Sequence, residues 1–210
     1  MQQLIWKEFF LQRKIWPLYS LIPIYSLLRN PSEPLGIAIG CFFTCGMIIF
    51  ISVYFEDKSK VEKVLASLPV TRRDIVIAKY ISSILFIILG LAITYVVAIL
   101  VNSFLNQTVN IPVYAIISAG LTAIIYSSVA LPIKYMGGYT AVSFLNVILI
   151  FPLVGILGFA CNVFGNEAIM LKVFRSENFM FVMGVFGIGV LMVYFVSVFF
   201  SIQVFQEKEL

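Results

Sequence analysis

Five stretches of the sequence contain no Lys, Arg, Asp or Glu, and this absence of charge limits the possible folds more than any other feature. The stretches are residues 35–55, 81–101, 112–133, 139–160 and 179–202. Each is long enough to cross a hydrocarbon core of about 30 Å, which takes roughly 20 helical residues. The whole chain is only 11% charged, against about 25% in globular domains. We therefore predict an all-α, polytopic membrane protein, and exclude a soluble DNA-binding domain and a secreted disulfide scaffold.

A sixth, shorter apolar stretch precedes the other five. Residues 15–28 carry no charge but include Pro17 and Pro23. Membrane helices tolerate proline where neighbouring groups satisfy the freed backbone carbonyls. We therefore predict six transmembrane helices in a domain that covers residues 15–210.

Residues 1–14 precede the first predicted span and form a segment of their own. Aromatic side chains suit the headgroup zone of a bilayer, which favours an interfacial helix. A cytoplasmic extension of the first span is an equally good interpretation, because the apolar positions do not segregate on a helical wheel. The aromatic residues concerned are Trp6, Phe9, Phe10 and Trp16.

The distribution of Lys and Arg predicts the orientation of the spans. With the N-terminus in the cytoplasm, eleven of these residues lie in cytoplasmic segments and three, Arg29, Lys172 and Arg175, lie in outer segments. Basic residues concentrate on the cytoplasmic side of membrane proteins. We therefore predict a multi-pass protein of the cell membrane with both termini in the cytoplasm. The net charge of +4 reflects this bias and does not indicate nucleic-acid binding.

The residue types present exclude several kinds of chemistry. The chain has no His and three Cys, so Ser–His catalysis and His-ligated metal sites are excluded. Cys41 and Cys45 lie on one face of a predicted span, where packing of small side chains is the favoured interpretation over a metal pair. The charge-free spans predict no buried carboxylate. The phosphate-binding motif Gly-x-x-x-x-Gly-Lys-Ser/Thr is missing, so we expect neither an enzyme nor a bound cofactor.

The longest predicted cytoplasmic segment runs from residue 56 to residue 79 and carries ten charged residues. Ser59 followed by Glu62 is a capping box. The apolar residues after it recur with helical spacing, and Pro69 ends this short helix. Thr71 and Asp74 form a second cap, from which the next helix continues into the third span. The apolar face consists of Val61, Val64, Leu65 and Leu68.

Two interpretations of this short helix remain open at this point. It could be an interfacial helix that anchors two spans, with Lys and Arg on lipid headgroups. Alternatively, it could bind a cytoplasmic protein partner. The second interpretation also explains the rigid elbow at Pro69 and the presence of Glu62 beside Lys60 and Lys63.

The same segment resembles a known family. Glu-Asp-Lys at 56–58, Leu-Ala-Ser-Leu-Pro-Val-Thr-Arg at 65–72 and Ala-Lys-Tyr at 78–80 resemble the permease subunits of type-2 ABC exporters. The closest likeness is to small bacterial permeases of peptide-toxin and antimicrobial-peptide exporters. Outside residues 56–80 the likeness is architectural, in the six spans and the N-terminal segment.

The resemblance implies a coupling helix within residues 56–80 that binds a separate ABC ATPase, which would hold ATP and Mg. It also implies a second permease copy or a related permease, a lipid environment, and an amphipathic peptide as exported substrate, with a role in antimicrobial resistance. The residues that it places against the ATPase are Lys60, Val61, Glu62, Val64, Leu65, Leu68, Pro69, Arg72, Arg73 and Asp74.

The predicted outer loop 161–178 contains a second amphipathic segment. Its apolar residues are Ile169, Met170, Val173 and Phe174. In the resembled family an outer helix at this position caps the transport pathway. A loop resting on the outer leaflet explains the pattern equally well.

Two other classes of function remain as alternatives to ATP-driven export. An ion- or proton-coupled secondary transporter, or a channel, usually has ionisable residues within its spans, and five of the predicted spans have none. A membrane immunity protein without transport activity is the other alternative. A neighbouring gene for an ATPase subunit would distinguish a permease from both.

Overall fold

The computed structural model describes residues 2–29, 34–58, 71–105, 113–165 and 179–207. Within these ranges the secondary structure is helical, with no strand, as the sequence predicts. The helices are α1 Gln2–Gln12, α2 Trp16–Tyr19, α3 Leu21–Arg29, α4 Pro34–Lys58, α5 Arg72–Leu105, α6 Val113–Gly165 and α7 Phe179–Glu207.

Four helices of the described ranges are long and apolar enough to cross a membrane. Their candidate spans are Leu35–Lys58, Arg72–Phe104, Val113–Phe159 and Gly187–Glu207. They cover most of the five charge-free stretches, which confirms an integral membrane protein. The predicted number of six spans is not confirmed, and α6 and the N-terminal helices account for the difference.

Helix α6 is broken at Gly138, which has φ 69° and ψ −160°. This backbone conformation is accessible essentially to glycine alone. Tyr126 donates a hydrogen bond of 2.7 Å to Asn146 Oδ1, although 20 residues of straight helix would separate the two by about 30 Å. The chain therefore folds back at Gly138. The 47-residue candidate span Val113–Phe159 thus covers almost all of two predicted stretches, residues 112–133 and 139–160.

The first predicted span, residues 15–28, is not one continuous helix. It is divided at Ser20 into α2, with four residues, and α3, with nine. Nine helical residues extend only about 14 Å, which is less than half of a hydrocarbon core. Pro17 lies in the first turn of α2 and Pro23 in the first turn of α3, where a missing N–H breaks no helical hydrogen bond.

Helix α4 lies at the centre of the fold. The apolar stretch of α4 is 61% buried inside the protein, whereas the corresponding stretches of the other three candidate spans are 39% buried or less. A Cβ added to Gly90 of α5 would lie 3.1 Å from Cys45 Cα, so the two backbones are almost in contact there. On the other side, Gly40 is in tight contact with Ser26 of α3. Small residues thus allow close helix packing, which agrees with the packing role predicted for Cys45.

Buried hydroxyl groups join α7 to the rest of the bundle. Tyr80 of α5 donates to the carbonyl of Ser197 at 3.0 Å and lies 2.7 Å from Ser201 Oγ. In return, Tyr194 donates to the carbonyl of Tyr80 at 2.7 Å. Ser197 Oγ donates to the carbonyl of Ser128 in α6 at 2.6 Å. These bonds fix the C-terminal half of α7 against α5 and α6.

Candidate functional site: a buried charge cluster beside the predicted coupling segment

Most of the predicted coupling helix lies outside the described residues, because the structure describes nothing between residues 58 and 71. The prediction for that part therefore remains a prediction. It concerns Lys60, Val61, Glu62, Val64, Leu65, Leu68 and Pro69.

The second predicted helix start of this segment is confirmed. Thr71 Oγ1 accepts a hydrogen bond of 3.2 Å from the backbone N–H of Asp74. The Thr71 hydroxyl also donates to Asp74 Oδ2 at 2.7 Å. These bonds satisfy backbone donors that would otherwise be unpaired at a helix N-terminus. Helix α5 accordingly begins at Arg72 and continues into the membrane span, as the sequence predicts.

Arg72 contacts the C-terminus of α7. Its guanidinium donates to the carbonyls of Phe205 at 3.2 Å and Gln206 at 2.9 Å. A cation near the last carbonyls of a helix is stabilised by the helix dipole. The structure therefore shows an intramolecular role for Arg72, whereas Arg73 beside it is exposed. The predicted contact of Arg72, Arg73 and Asp74 with an ATPase is not tested.

Five charged side chains from four helices meet next to this helix start. We call them the charge cluster: Lys7 and Glu8 of α1, Glu56 of α4, Lys79 of α5 and Lys134 of α6. Glu56 is within 3.0 Å of Lys7, 2.8 Å of Lys79 and 2.6 Å of Lys134. Glu8 is 2.7 Å from Lys79 and 3.0 Å from Lys7.

Ser52, one turn before Glu56 in α4, extends the charge cluster by two hydrogen bonds. Its hydroxyl donates to Glu8 Oε2 at 2.7 Å and accepts from Lys79 Nζ at 2.7 Å. Each carboxylate thus has several donors, which a buried charge requires in order to be tolerated.

Four members of the charge cluster are almost inaccessible. Glu8, Glu56, Lys79 and Lys134 are 2–5% exposed, and only Lys7 is partly exposed. Burial lowers the pKa of Lys7, but Glu56 and Glu8 more than compensate, and the pKa is raised above its usual value. Lys7 therefore keeps its proton at neutral pH. Because these charges depend on partners from other helices, the charge cluster fixes α1 against α4 and α5 and joins α4 to α6.

The expectation of no buried carboxylate is wrong, since Glu8 and Glu56 are both buried. The sequence places these residues in predicted cytoplasmic segments, just beyond the charge-free stretches. Glu56 directly follows one stretch, Lys79 shortly precedes the next, and Lys134 directly follows the third. The sequence feature that indicates the charge cluster is the presence of opposite charges at the same ends of neighbouring predicted spans.

The charge cluster also shows which ends of the helices lie together. Glu56 is near the end of α4, Lys79 near the start of α5 and Lys134 just before the turn at Gly138. Arg72 brings the end of α7 to the same side. The end of α4, the start of α5, the α6 turn and the end of α7 therefore lie on one side of the bundle. The predicted cytoplasmic location of this side is not tested.

Comparison with known families matches nearly the whole chain. A family described as ABC-2 family transporter protein matches residues 3–206. The chain belongs to this ABC-2 transporter family. Neither the curated proteins nor the solved structures contain a significant match to it.

Family membership supports the function of an ABC transporter permease, which is a membrane component and generally not an enzyme. Among the described residues of this ABC-2 permease, no group of three or more His, Cys, Asp or Glu could hold a metal ion. The charge cluster joins α1, α4, α5 and α6 through ion pairs.

Proposed function

We propose that this ABC-2 permease is the membrane subunit of an ATP-driven exporter, and that residues 56–80 are its contact with a separate ABC ATPase. The observation that carries this proposal is the position of the charge cluster. Glu56 and Lys79 lie on either side of residues 59–70, and their side chains are 2.8 Å apart. The two helices to which this segment is attached, α4 and α5, are thus held together by an ion pair.

This arrangement suits the transmission of movement from an ATPase to the spans. A force on residues 59–70 would reach α4 through Glu56 and α5 through the Thr71 cap. The charge cluster connects both helices to α1 and, through Lys134, to the turn of α6. Charge networks that fully satisfy their members are rigid. A displacement at one end of the bundle would therefore move four helices together.

The position of these charges favours ATP-driven transport over ion coupling. Ionisable groups of ion pathways commonly lie within the spans, where they face a cavity or one another. Here the buried charges lie near the ends of α4 and α5 and beside the α6 turn, outside the charge-free stretches of the sequence. Charges in this position hold neighbouring helices together.

The proposal extends to the assembly and its substrate. Two permeases, either identical or related, would form the pathway between them in the bacterial cytoplasmic membrane. The spans are aromatic-rich and lack charge over long stretches, which suits a hydrophobic or amphipathic substrate such as a peptide. ATP and Mg would be bound by the ATPase, so the permease alone would hydrolyse no ATP.

A pair of substitutions tests the contact with the ATPase. Leu65→Asp with Leu68→Asp would place two charges on the apolar face of the predicted coupling helix. An uncompensated buried charge costs about 3–5 kcal/mol, and each 1.4 kcal/mol is about tenfold in affinity. We expect the tagged variant to insert into membranes but to lose its ATPase on co-purification.

The matched control is Lys63→Asp with Ser67→Asp, because these residues lie on the opposite, polar face. The control should retain the ATPase at wild-type stoichiometry. Full retention of the ATPase and of substrate-stimulated hydrolysis by the Leu65/Leu68 variant would contradict the coupling helix. An interfacial anchor predicts that outcome.

A further inference from the structure

Helix α1 has an unusual distribution of polar side chains. Glu8 and Gln12 are 3% and 0% exposed, whereas Trp6 and Phe10 are 73% and 62% exposed. Glu8 enters the charge cluster, and Gln12 Oε1 accepts a hydrogen bond of 2.7 Å from the buried hydroxyl of Tyr19. A helix on the surface of a soluble protein has the opposite arrangement. This distribution explains why the apolar positions do not segregate on a helical wheel.

The outer face of α1 continues into a pair of basic residues. Trp6 and Phe10 lie four residues apart on one face of α1, and Arg13 follows directly after the end of the helix. The guanidinium of Arg13 lies 4.1 Å from the centroid of the Phe10 ring. Lys14 is exposed beside it, and Trp16 is 38% exposed. We call these five residues the outer stripe.

The outer stripe carries positive charge and no negative charge. Glu8 is the only acidic residue among the first 20, and its carboxylate is turned inward to Lys79. Arg13 and Lys14 are therefore exposed, and no carboxylate of α1 lies beside them to neutralise their charge. A surface that presents two cations beside exposed aromatic rings is complementary to an anionic, partly apolar partner.

The location of α1 indicates the nature of that partner. Glu8 binds Lys79 near the start of α5 and Ser52 near the end of α4. Helix α1 is therefore attached close to the ends of these spans, where a bilayer changes from hydrocarbon to headgroups. Phe9 packs on Phe86 of α5 with ring centroids 5.0 Å apart. Trp side chains favour this zone, and Lys or Arg there attract anionic lipids.

We propose that the outer stripe of α1 is a binding site for the headgroups of anionic phospholipids. Arg13 and Lys14 contact the phosphate, and Trp6, Phe10 and Trp16 pack against the glycerol and upper acyl region. The cation–π contact with Phe10 holds the Arg13 guanidinium at the protein surface. Binding is selective, because a zwitterionic headgroup offers no net negative charge to the two cations.

The two tryptophans of the chain make this site directly observable, because the sequence contains only Trp6 and Trp16. The full-length permease is reconstituted into phosphatidylcholine vesicles that contain a fixed fraction of brominated lipid. The brominated lipid is either phosphatidylglycerol or phosphatidylcholine, and bromine quenches nearby tryptophan. We expect the apparent affinity for brominated phosphatidylglycerol to be higher by about fivefold or more, which corresponds to roughly one charge at a membrane surface.

The variant Arg13→Gln with Lys14→Gln should reduce this preference to near unity. Both residues are exposed and lie outside the charge cluster, so the fold should be retained. Arg29→Gln is the matched control. Arg29 is also exposed, but it lies at the end of α3, where it contacts the hydroxyl of Tyr25 at 2.9 Å. The control should keep the preference of the wild type.

A measurement on the wild type alone keeps the proposal testable if the double variant does not fold. At 1 M salt the screening length falls to about 3 Å, so the preference for phosphatidylglycerol should be largely lost. Equal quenching by both lipids at low salt would overturn the proposal. A preference for phosphatidylglycerol that persists at 1 M salt would also overturn it. The same holds if the Arg13→Gln, Lys14→Gln variant keeps the preference, or if Arg29→Gln removes it.

Discussion

Lys134 Nζ lies 2.6 Å from Glu56 Oε2, although the two residues are 78 positions apart in the sequence. The same carboxylate group also meets Lys7 and Lys79. Glu56 thus makes more ion pairs than any other member of the charge cluster, and all three of its ion-pair partners are lysines. Its charge makes the close approach of these lysines possible.

Glu56→Gln should therefore destabilise the permease strongly. The substitution keeps the size of the side chain but leaves three lysines facing fewer negative charges in a buried place. Loss of one partner of a buried ion pair costs about 3–5 kcal/mol. A loss of 3 kcal/mol would lower the apparent melting temperature by roughly 6–12 °C for a chain of this size, measured in detergent by thermal unfolding.

Asp57→Asn is the matched control for this prediction, because Asp57 is the next residue and is exposed. It removes the same charge from the same end of α4, and the melting temperature should change by less than about 2 °C. Equal melting temperatures of the Glu56→Gln variant and the wild type would contradict the assigned role of the charge cluster.

The turn in α6 gives a second prediction, for Gly138→Ala. The φ of 69° with ψ of −160° is strained for any residue with a Cβ, at a cost of about 1–3 kcal/mol. We expect a lower melting temperature and more proteolysis at the turn. Gly155→Ala in the second arm is the control, since a Cβ there would meet nothing within 4 Å. A continuous, unbroken α6 would instead be stabilised by both substitutions.

The close approach of α4 and α5 gives a third prediction. A Cβ at position 90 would lie 2.7 Å from Cys45 Sγ and 3.2 Å from the Cys45 backbone nitrogen. A backbone atom cannot avoid the clash by a change of rotamer, so Gly90→Ala must push the two helices apart. We expect this to lower the free energy of unfolding by about 1–3 kcal/mol. Gly46→Ala makes the same chemical change at a site with open space. Thermal unfolding should rank Gly90→Ala below both the control and the wild type.

The predicted orientation is tested by labelling single cysteines in intact cells. The background chain carries alanine in place of its cysteines at positions 41, 45 and 161. A membrane-impermeant maleimide should label Lys172→Cys but should not label Lys63→Cys, because eleven of the Lys and Arg residues lie in the predicted cytoplasmic segments. The reverse labelling pattern would show that the orientation is inverted.

The membrane class and the positions of the long helices could be predicted from the sequence, because they depend on local properties. A run of 20 uncharged residues is visible without knowledge of its neighbours, and so is the Thr71–Asp74 cap. The division of residues 15–28 at Ser20 could not be predicted in this way. Whether two prolines leave one helix or two short ones depends on the packing of α2 and α3 against α4.

The charge cluster could not be predicted for a related reason. Glu8, Glu56 and Lys79 look like ordinary cytoplasmic charges in the sequence, since each lies outside a charge-free stretch. Their burial depends on pairing between residues 71 or 78 positions apart, which periodicity within one helix does not reveal. For the same reason, the polar face of α1 faces inward, contrary to the usual rule for surface helices.

The long separations within the charge cluster also have a consequence for biosynthesis. Glu8 is made 71 residues before its partner Lys79, and Glu56 is made 78 residues before Lys134. Until Lys79 is made, the carboxylate of Glu8 has only Lys7 of its own helix as an ion-pair partner, so α1 must stay in contact with water or headgroups. We expect α1 to reach its final place only after α5 has entered the membrane, because Lys79 of α5 is a partner of Glu8. Helix α1 would then be positioned later than α4, although it precedes α4 in the chain.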